Sequence, residues 1–334
     1  MPNDSLKPAA SHGVSNPGGQ AGFSKGFSQS VGLDYSQEVC YAWDMNKVFE
    51  YRLRPKQEQE QSMMGVLIGT RQMYNNALAE WKEYLETTGK YLSLYTQDKH
   101  YNKETYPDLP AVVVDQTLKR LHRALDRFFK FRKRGDQCGF PRFKSAQQWN
   151  SIEYRDYTNA LHGQYFSAGK YCGGKIRAVV HRPLEGQFKY ARLVKRTSGW
   201  YLQCVCEVDN KPLSETGNSV GLDMGIKSLV ADSNGIITPN PKHLQAELKN
   251  LAHSQRLLSR KTKKSNRWRK QVKVVARRHE RIGNRRKDFL HKLSRKYMNE
   301  NDIIVVEDLN VVGMIRNHHL ARSIQDASWN MFRQ

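Results

Sequence analysis

Two short apolar runs constrain this chain most: Val220-Gly221-Leu222-Asp223-Met224-Gly225-Ile226 and Ile303-Ile304-Val305-Val306-Glu307-Asp308-Leu309. Each has the composition of a buried strand, and each is interrupted by one carboxylate, Asp223 or Glu307, where a buried strand should carry none. A buried charge is costly unless it is paired or holds a metal. Two such acids suggest strands brought together around a hard cation, Mg²⁺ or Mn²⁺. Sites with two such ions cleave phosphodiesters, because the ions activate water and stabilise the leaving oxygen. Asp223 is expected in mid-strand, with Gly225 behind it leaving room for a neighbouring strand or a phosphate. Glu307 is expected at the C-terminal end of its strand.

The charge of the chain agrees with a polyanionic partner. Its 334 residues suffice for two or three domains, and 55 Lys and Arg against 32 Asp and Glu leave a net charge of +23. Such an excess favours nucleic acid through counterion release. A membrane surface is the competing polyanion, but no long apolar run is present to anchor the chain. The first residues, Met1-Pro2-Asn3-Asp4-Ser5, lack the basic start and apolar core of a signal peptide, so the expected location is cytoplasmic, in association with the nucleoid. The excess is concentrated in residues 242–299, where twenty Lys and Arg face three acids and contribute +17 of the +23. Apolar positions from Leu244 to Leu293 recur at helical spacing there. They predict two helices joined near Lys263-Lys264-Ser265-Asn266, with basic outer faces for nucleic-acid contact. Arg260, Lys263, Lys264, Arg267 and Arg269 sit around that joint.

Residues 1–41 are rich in Ser, Gly, Gln and Asn and predict a disordered leader. Val48 to Arg54 alternates and stops at Pro55, the pattern of a strand. A helix is expected from about Lys56 to Thr87, with Met64, Leu67, Ile68, Met73, Tyr74, Leu78 and Trp81 on its apolar face. A second is expected from about Val113 to Arg134, carrying Leu118, Leu121, Leu125, Phe128 and Phe129; no defined recognition helix can be read from the two. From Gly139 the period changes to two. Ile176–Val180, Phe188–Lys195 and Trp200–Glu207 predict antiparallel strands, with aromatic and basic residues interleaved around Phe140, Arg142, Phe143 and Lys144. That mixture suits base stacking with phosphate contact, and equally a barrel with a solvated face. None of the five cysteines forms a Cys-x-x-Cys pair, and Cys204 and Cys206 are expected on one face of a sheet as free buried thiols.

After a polar linker, Lys211 to Asn218, a new domain is expected at Val220, and Leu222 to Asp232 reads as a hairpin. The 84 positions from Asp223 to Glu307 hold that hairpin and the basic helices. The two acidic strands can therefore neighbour one another in one sheet, the logic of an RNase H-like fold; taken alone, the pair leaves a structural role open. Gly221-Leu222-Asp223-Met224-Gly225-Ile226-Lys227 resembles the first RuvC motif of the TnpB family, the transposon-encoded ancestors of type V CRISPR effectors. Val305-Val306-Glu307-Asp308-Leu309-Asn310-Val311 is similar to the second. Further matches are Gly139-Phe140-Pro141-Arg142-Phe143-Lys144, Arg182-Pro183-Leu184-Glu185-Gly186, Asn240-Pro241-Lys242, Arg286 to Leu293 and Ala321 to Trp329. The resemblance spans about residues 46–334.

It implies an α+β multidomain chain. A wedge-like β-barrel (residues 42–56 and 139–216) is split by a helical recognition insert (57–138), and a partial RuvC-like nuclease domain follows (217–334). It implies an RNA-guided DNA endonuclease from an insertion sequence, with a guide RNA from the transposon end and target double-stranded DNA as partners. Asp223 and Glu307 carry over as catalytic ligands of Mg²⁺ or Mn²⁺, and Arg142, Lys144 and Arg182 as nucleic-acid contacts. Family members continue into a Cys-x-x-Cys zinc ribbon and a third RuvC motif with an Asp, neither of which occurs before Gln334. Asp308 is expected to point away from Glu307, and Asp326 to lie on a structural helix, so neither replaces that third acid. The expectation is a truncated nuclease impaired in cleavage. The alternatives are a cleavage-deficient RNA-guided DNA-binding protein or regulator, and a helix-turn-helix DNA-binding transposase accessory.

Overall fold

The computed structural model describes residues 45–155, 161–209 and 213–333; the expected leader lies outside them. In chain order the first half runs β1 (Met45–Arg54), α1 (Gln57–Thr88), α2 (Leu94–Asp98), α3 (Ala111–Lys133), β2 (Ser151–Arg155), β3 (Leu161–His162), β4 (Tyr165–Ser167), β5 (Lys175–Val179), β6 (Gln187–Arg196) and β7 (Gly199–Val208). The second half runs β8 (Ser219–Asp223), β9 (Ser228–Asp232), β10 (Ile237–Pro239), α4 (His243–Ser259), α5 (Asn266–Glu300), β11 (Ile303–Val306), α6 (Val311–Met314), α7 (Ala321–Ala327) and α8 (Trp329–Arg333).

The alternation read from the sequence survives in the first half. β1 buries Phe49, Tyr51 and Leu53 and exposes Arg52 and Arg54 between them. The strands form one antiparallel sheet in the order β2-β6-β7-β1-β5-β4-β3. The expected barrel is not closed: β2 and β3 stand at opposite ends of a curled half-barrel, among the described residues. Helices supply the missing cover. Residues of α1 and α3, with Trp149 and the inward residues of the strands, make one continuous core. Gln59 of α1 donates to the carbonyls of Gly173 and Lys175 at 3.1 and 3.0 Å, and Trp149 Nε1 donates to Thr70 Oγ1 at 3.0 Å. Of the expected apolar face of α1, Leu67, Met73, Tyr74, Leu78 and Trp81 are buried and Met64 packs against the core, joined by Met63, Val66 and Ala77, whereas Ile68 is 43 % exposed.

Arg182 to Gly186, one of the recurring motifs, is a structural corner. Tyr51 Oη donates to the Arg182 carbonyl at 2.9 Å, and Glu185 pairs with Lys47 at 2.6 Å. Gly186 has φ +75°, and a Cβ there would stand 2.1 Å from the Glu207 carbonyl oxygen. Left-handed backbone and steric overlap therefore coincide, so Gly186→Ala should cost about 2–4 kcal/mol, read as a lowered midpoint in urea unfolding.

Cys172, Cys204 and Cys206 are buried free thiols, as expected. Burial pushes Cys172 up to about 11 and Cys204 up to about 12. Only the thiolate is nucleophilic, so at pH 8 an alkylating reagent should label the partly exposed Cys138 and spare these two. Mass spectrometry of the native protein across pH 7–10 checks this; fast labelling of Cys204 at pH 8 would contradict the burial.

The second half contains a four-stranded sheet in the order β10-β9-β8-β11, in which β8 and β11 run parallel. Its inner face, with Val220, Leu222 and Val230, packs on Leu290 and Tyr297 of α5 and on Ile324, Ala327 and Trp329. Helix α5 is 35 residues long, about 52 Å at 1.5 Å per residue. Among the described residues, one hydrogen bond is recorded between the two halves: Ser198 Oγ, at the β6–β7 turn, donates to Glu280 on α5 at 2.6 Å. Beside that contact lies a groove of about 980 Å³ whose walls include Trp149, Lys195, Lys273 and Arg277.

Candidate metal centre and nucleic-acid interface

The register of β8 and β11 decides where the two acids stand. Val305 lies opposite Gly221 and Val306 opposite Leu222, so the next residues, Glu307 and Asp223, are level on neighbouring strands about 4.8 Å apart. Alternation puts both on one face. Val220 and Leu222 are buried on the inner side, leaving Gly221 and Asp223 on the outer one. On the other flank Asp223 faces Ala231 of β9.

This arrangement corrects two expectations. Asp223 is the last residue of its strand, not a mid-strand residue. Both carboxylates are exposed, not buried. The reason is positional: both stand where the chain leaves the C-terminal end of a parallel pair, the edge at which open sheets of this kind place ligand sites. Among the described residues, neither carboxylate has a recorded hydrogen bond or ion pair. Like charges directly opposite one another are unfavourable, and a shared cation removes that cost.

The loops around the pair are tied down by the other motif residues. The Gly225 amide donates to the Leu229 carbonyl at 3.3 Å, and a Cβ on Gly225 would meet the Ser228 carbonyl at 2.9 Å, which explains the glycine. Asn240 Nδ2 donates to the Ile226 carbonyl at 3.1 Å, joining the exit of β8 to the start of α4. Asn240 Oδ1 accepts from the Lys242 amide at 3.0 Å.

The buried acids of this half are others, which sequence reasoning did not single out as such. Asp232 accepts from the amides of Asn234 and Ile236 at 3.0 and 2.8 Å and from Tyr297 Oη at 3.1 Å, shaping the β9–β10 turn. Asp326 pairs with Arg286 at 2.7 Å and accepts from the Leu244 amide at 3.1 Å, capping α4. It is committed to structure, and Asp308 is paired with Arg333 at 2.7 Å. No cluster of three or more His, Cys, Asp or Glu that could hold a metal occurs among the described residues. Two exposed carboxylates on one face still fit a Mg²⁺ ion, which keeps several waters and is bound through one or two carboxylates plus phosphate oxygens. Removing Asp326 leaves Arg286 without its acid partner and α4 without its cap. Asp326→Ala should therefore cost about 3–5 kcal/mol, seen as a lower thermal midpoint by circular dichroism, with or without Mg²⁺. A loss seen only with Mg²⁺ would instead make Asp326 a ligand.

The basic residues divide in two. Arg260, Lys263, Lys264, Arg267 and Arg269 are exposed around the α4–α5 turn, and none forms an ion pair among the described residues. Of the twenty Lys and Arg in 242–299, Arg278, Arg285, Arg286 and Lys292 are the ones with an ion pair among the described residues. The first-half residues are more engaged. Arg182 donates to the Val48 carbonyl at 3.3 Å and lies over the Phe49 ring. The backbone of Lys144 is held by Asn75 through bonds of 2.7 and 3.1 Å, which presents the exposed Arg142 and Phe143 beside it.

Comparison with known proteins places the chain among relatives. A family model described as "Probable transposase" matches residues 203–318, which include both acidic strands. A second, described as "Helix-turn-helix domain", matches residues 45–90, where the structure has the strand β1 and the single helix α1. The chain is 34 % identical over 304 residues to a "Putative RNA-guided DNA endonuclease" of Streptomyces pristinaespiralis, covering 86 % of this chain and 73 % of that protein. It is 30 % identical over 313 residues to the "Putative RNA-guided DNA endonuclease InsQ" of Escherichia coli (strain K12), covering 86 % and 76 %. Among solved structures, a chain of the Cas12f1–sgRNA–target DNA complex matches with a TM-score of 0.46 and 10 % identity, over 86 % of this chain and 87 % of that one.

Proposed function

The chain belongs to the TnpB family of insertion-sequence proteins, and from that premise we propose that it is an RNA-guided DNA endonuclease whose cleaving centre is the pair Asp223 and Glu307. The observation that carries this reading is the level, unpaired placement of the two acids at the ends of β8 and β11. A bound Mg²⁺ or Mn²⁺ would supply an activated water and stabilise the departing oxygen. The protein's own contribution is to hold two hard oxygen donors on one outward face, free of competing partners. Unpaired basic side chains on α4 and α5 would draw the polyanion to that half of the chain.

The guide RNA and target duplex are the proposed partners. Base pairing would read the target, while the protein holds backbone and shape. Arg142, Lys144 and Arg182 are proposed contacts from the first half, and Arg260, Lys263, Lys264, Arg267 and Arg269 from the α4–α5 turn. No helix among the described residues is long and apolar enough to cross a membrane.

A second reading has its own observation. With only two carboxylates brought together and no larger donor cluster among the described residues, the chain would bind guide and target without cutting. One experiment separates the two. The protein is supplied with its transposon-end RNA and a plasmid carrying a matched target, with and without Mg²⁺. The nuclease reading expects Mg²⁺-dependent linearisation, reduced about 100-fold or more by Asp223→Ala and by Glu307→Ala, since even outer partners of a metal site cost 10–100-fold. Guide-dependent retention of the target without cleavage in any variant would establish the second reading. Cleavage that survives Asp223→Ala would sink the assignment of the centre.

A further inference from the structure

The large sheet is neutralised unevenly. Arg192, Lys195 and Arg196 of β6 pair with Glu153, Glu60 and Glu50 at 2.8, 2.5 and 2.5 Å. Lys189 pairs with Glu207, and Lys47 of β1 with Glu185. At the other end of the sheet the pattern stops. Arg54, Lys175 and Arg177 are exposed, and among the described residues none of their side chains has a recorded hydrogen bond, ion pair or ring contact.

The register lines these residues up. Arg54 of β1 lies opposite Arg177 of β5, and Arg177 lies opposite Tyr165 of β4, one row across three strands. Leu53, Phe166, Ile176 and Ala178 between them are buried, so Arg54, Arg177 and Tyr165 share the outer face. Directly opposed Cα atoms are about 4.5–5.5 Å apart, and like charges so placed are unfavourable. Elsewhere in this sheet Lys47, Lys189, Arg192, Lys195 and Arg196 have glutamate partners, Arg52 bonds to the Ser198 carbonyl and Arg155 lies over the Tyr190 ring; here the neighbours across the strands are a second arginine and an aromatic ring. Tyr165 is 49 % exposed and Val179, beside it, 43 %. The row borders a shallow cavity of about 570 Å³ lined by Arg54, Gln164, Arg177, Ala178, Val179 and Val180.

We propose that Arg54, Arg177 and Tyr165 form a binding row for an unpaired segment of the guide RNA, with the two guanidiniums on neighbouring phosphates and a base on the tyrosine ring. This rests on the reading of the chain as RNA-guided. The chemistry follows from the residue types. Guanidinium forks match phosphate oxygens, and an exposed ring stacks any base whose face is free. A base face is free in the loops and ends of a folded RNA; a DNA strand displaced by guide pairing offers one as well, and the oligo(dT) arm of the test tells the two apart.

The test measures binding by fluorescence anisotropy, without Mg²⁺, of the full chain to a labelled 20-nucleotide oligo(U), to oligo(dT) of the same length and to a 20-base-pair RNA duplex, across a NaCl series. The variants are Arg54→Ala/Arg177→Ala, Tyr165→Ala, Tyr165→Phe and Lys189→Ala, the last removing a paired lysine of the same sheet. The expected result for the double variant is weaker oligo(U) binding and a log–log salt slope smaller by about 1.4, at about 0.7 per single-strand phosphate contact. Tyr165→Ala should weaken oligo(U) about tenfold, Tyr165→Phe should restore it, and the duplex should be indifferent to Tyr165. The double variant should also melt no lower than the unmodified protein, because a repulsion is removed. An unchanged slope, an equal loss in Lys189→Ala, or a loss confined to oligo(dT) would each overturn the proposal. Because no cleavage is read, these outcomes are independent of whether Asp223→Ala abolishes cutting.

Discussion

The parallel pairing of β8 with β11 is the interaction on which the candidate centre depends. The two strands are separated in sequence by the β9–β10 hairpin and two long helices, and a slip of one residue would move Glu307 to the opposite face from Asp223. The register is fixed at its start. Asp302, immediately before β11, accepts from the amides of Thr216 and Gly217 at 2.9 and 2.6 Å, and its own amide donates to the Asn218 carbonyl at 2.9 Å. The Thr216 amide and its neighbours hold the Asp302 carboxyl below its ordinary range. Farther along, Val220, Leu222, Ile304 and Val306 pack on the same core as Trp329. A carboxylate clamp at one end and a shared apolar face thus place two other carboxylates side by side at the far end.

Opposed like charges are informative in this chain because it otherwise neutralises its packed acids with care. Glu50, Glu153 and Glu247 each face arginine, and Glu153 and Glu247 each face two. Against that background Asp223 with Glu307, and Arg54 with Arg177, stand out as like charges level on neighbouring strands with no recorded ion pair among the described residues. The sign of each pair sets the chemistry of what would meet it under the proposals above: a small hard cation for two carboxylates, a phosphate-bearing strand for two guanidiniums beside a ring.

Much of this was legible in the sequence. The alternation of β1, β6 and β7, the two basic helices with their joint near Lys264, and the strand that delivers Glu307 follow from periodicity and composition alone. The same patterns could not say which way a carboxylate faces, because an acid at a strand end and one in mid-strand have the same neighbours in sequence. Asp223 was therefore expected to be buried and is not, whereas Asp232 and Asp326, which look like ordinary turn and helix residues, are buried and paired. The exposure of Ile68 at the edge of the apolar face of α1 has a similar cause: Ile68 satisfies helical spacing as well as Val66 does, and spacing alone does not say where the face ends. The half-barrel itself depends on helices closing the core, a tertiary fact with no local signature.

Helix α5 shows why a polyanion belongs in the account of this half's stability as well as its function. Of its 35 residues only Ile282, Leu290 and Tyr297 are buried, so among the described residues its N-terminal half is held by α4 and by the hydrogen bond from Ser198 to Glu280. Along one side Lys273, Arg277, Arg281 and Arg285 follow at intervals of four, where like charges oppose helix formation by a few tenths of a kcal/mol per pair. Of these four, Arg285 has an acid partner, Glu247. A helix that gains so little from burial and loses to self-repulsion is one whose folded form nucleic acid would stabilise by mass action. The basic stripe that weakens the free protein is then the same feature that couples its order to its ligand.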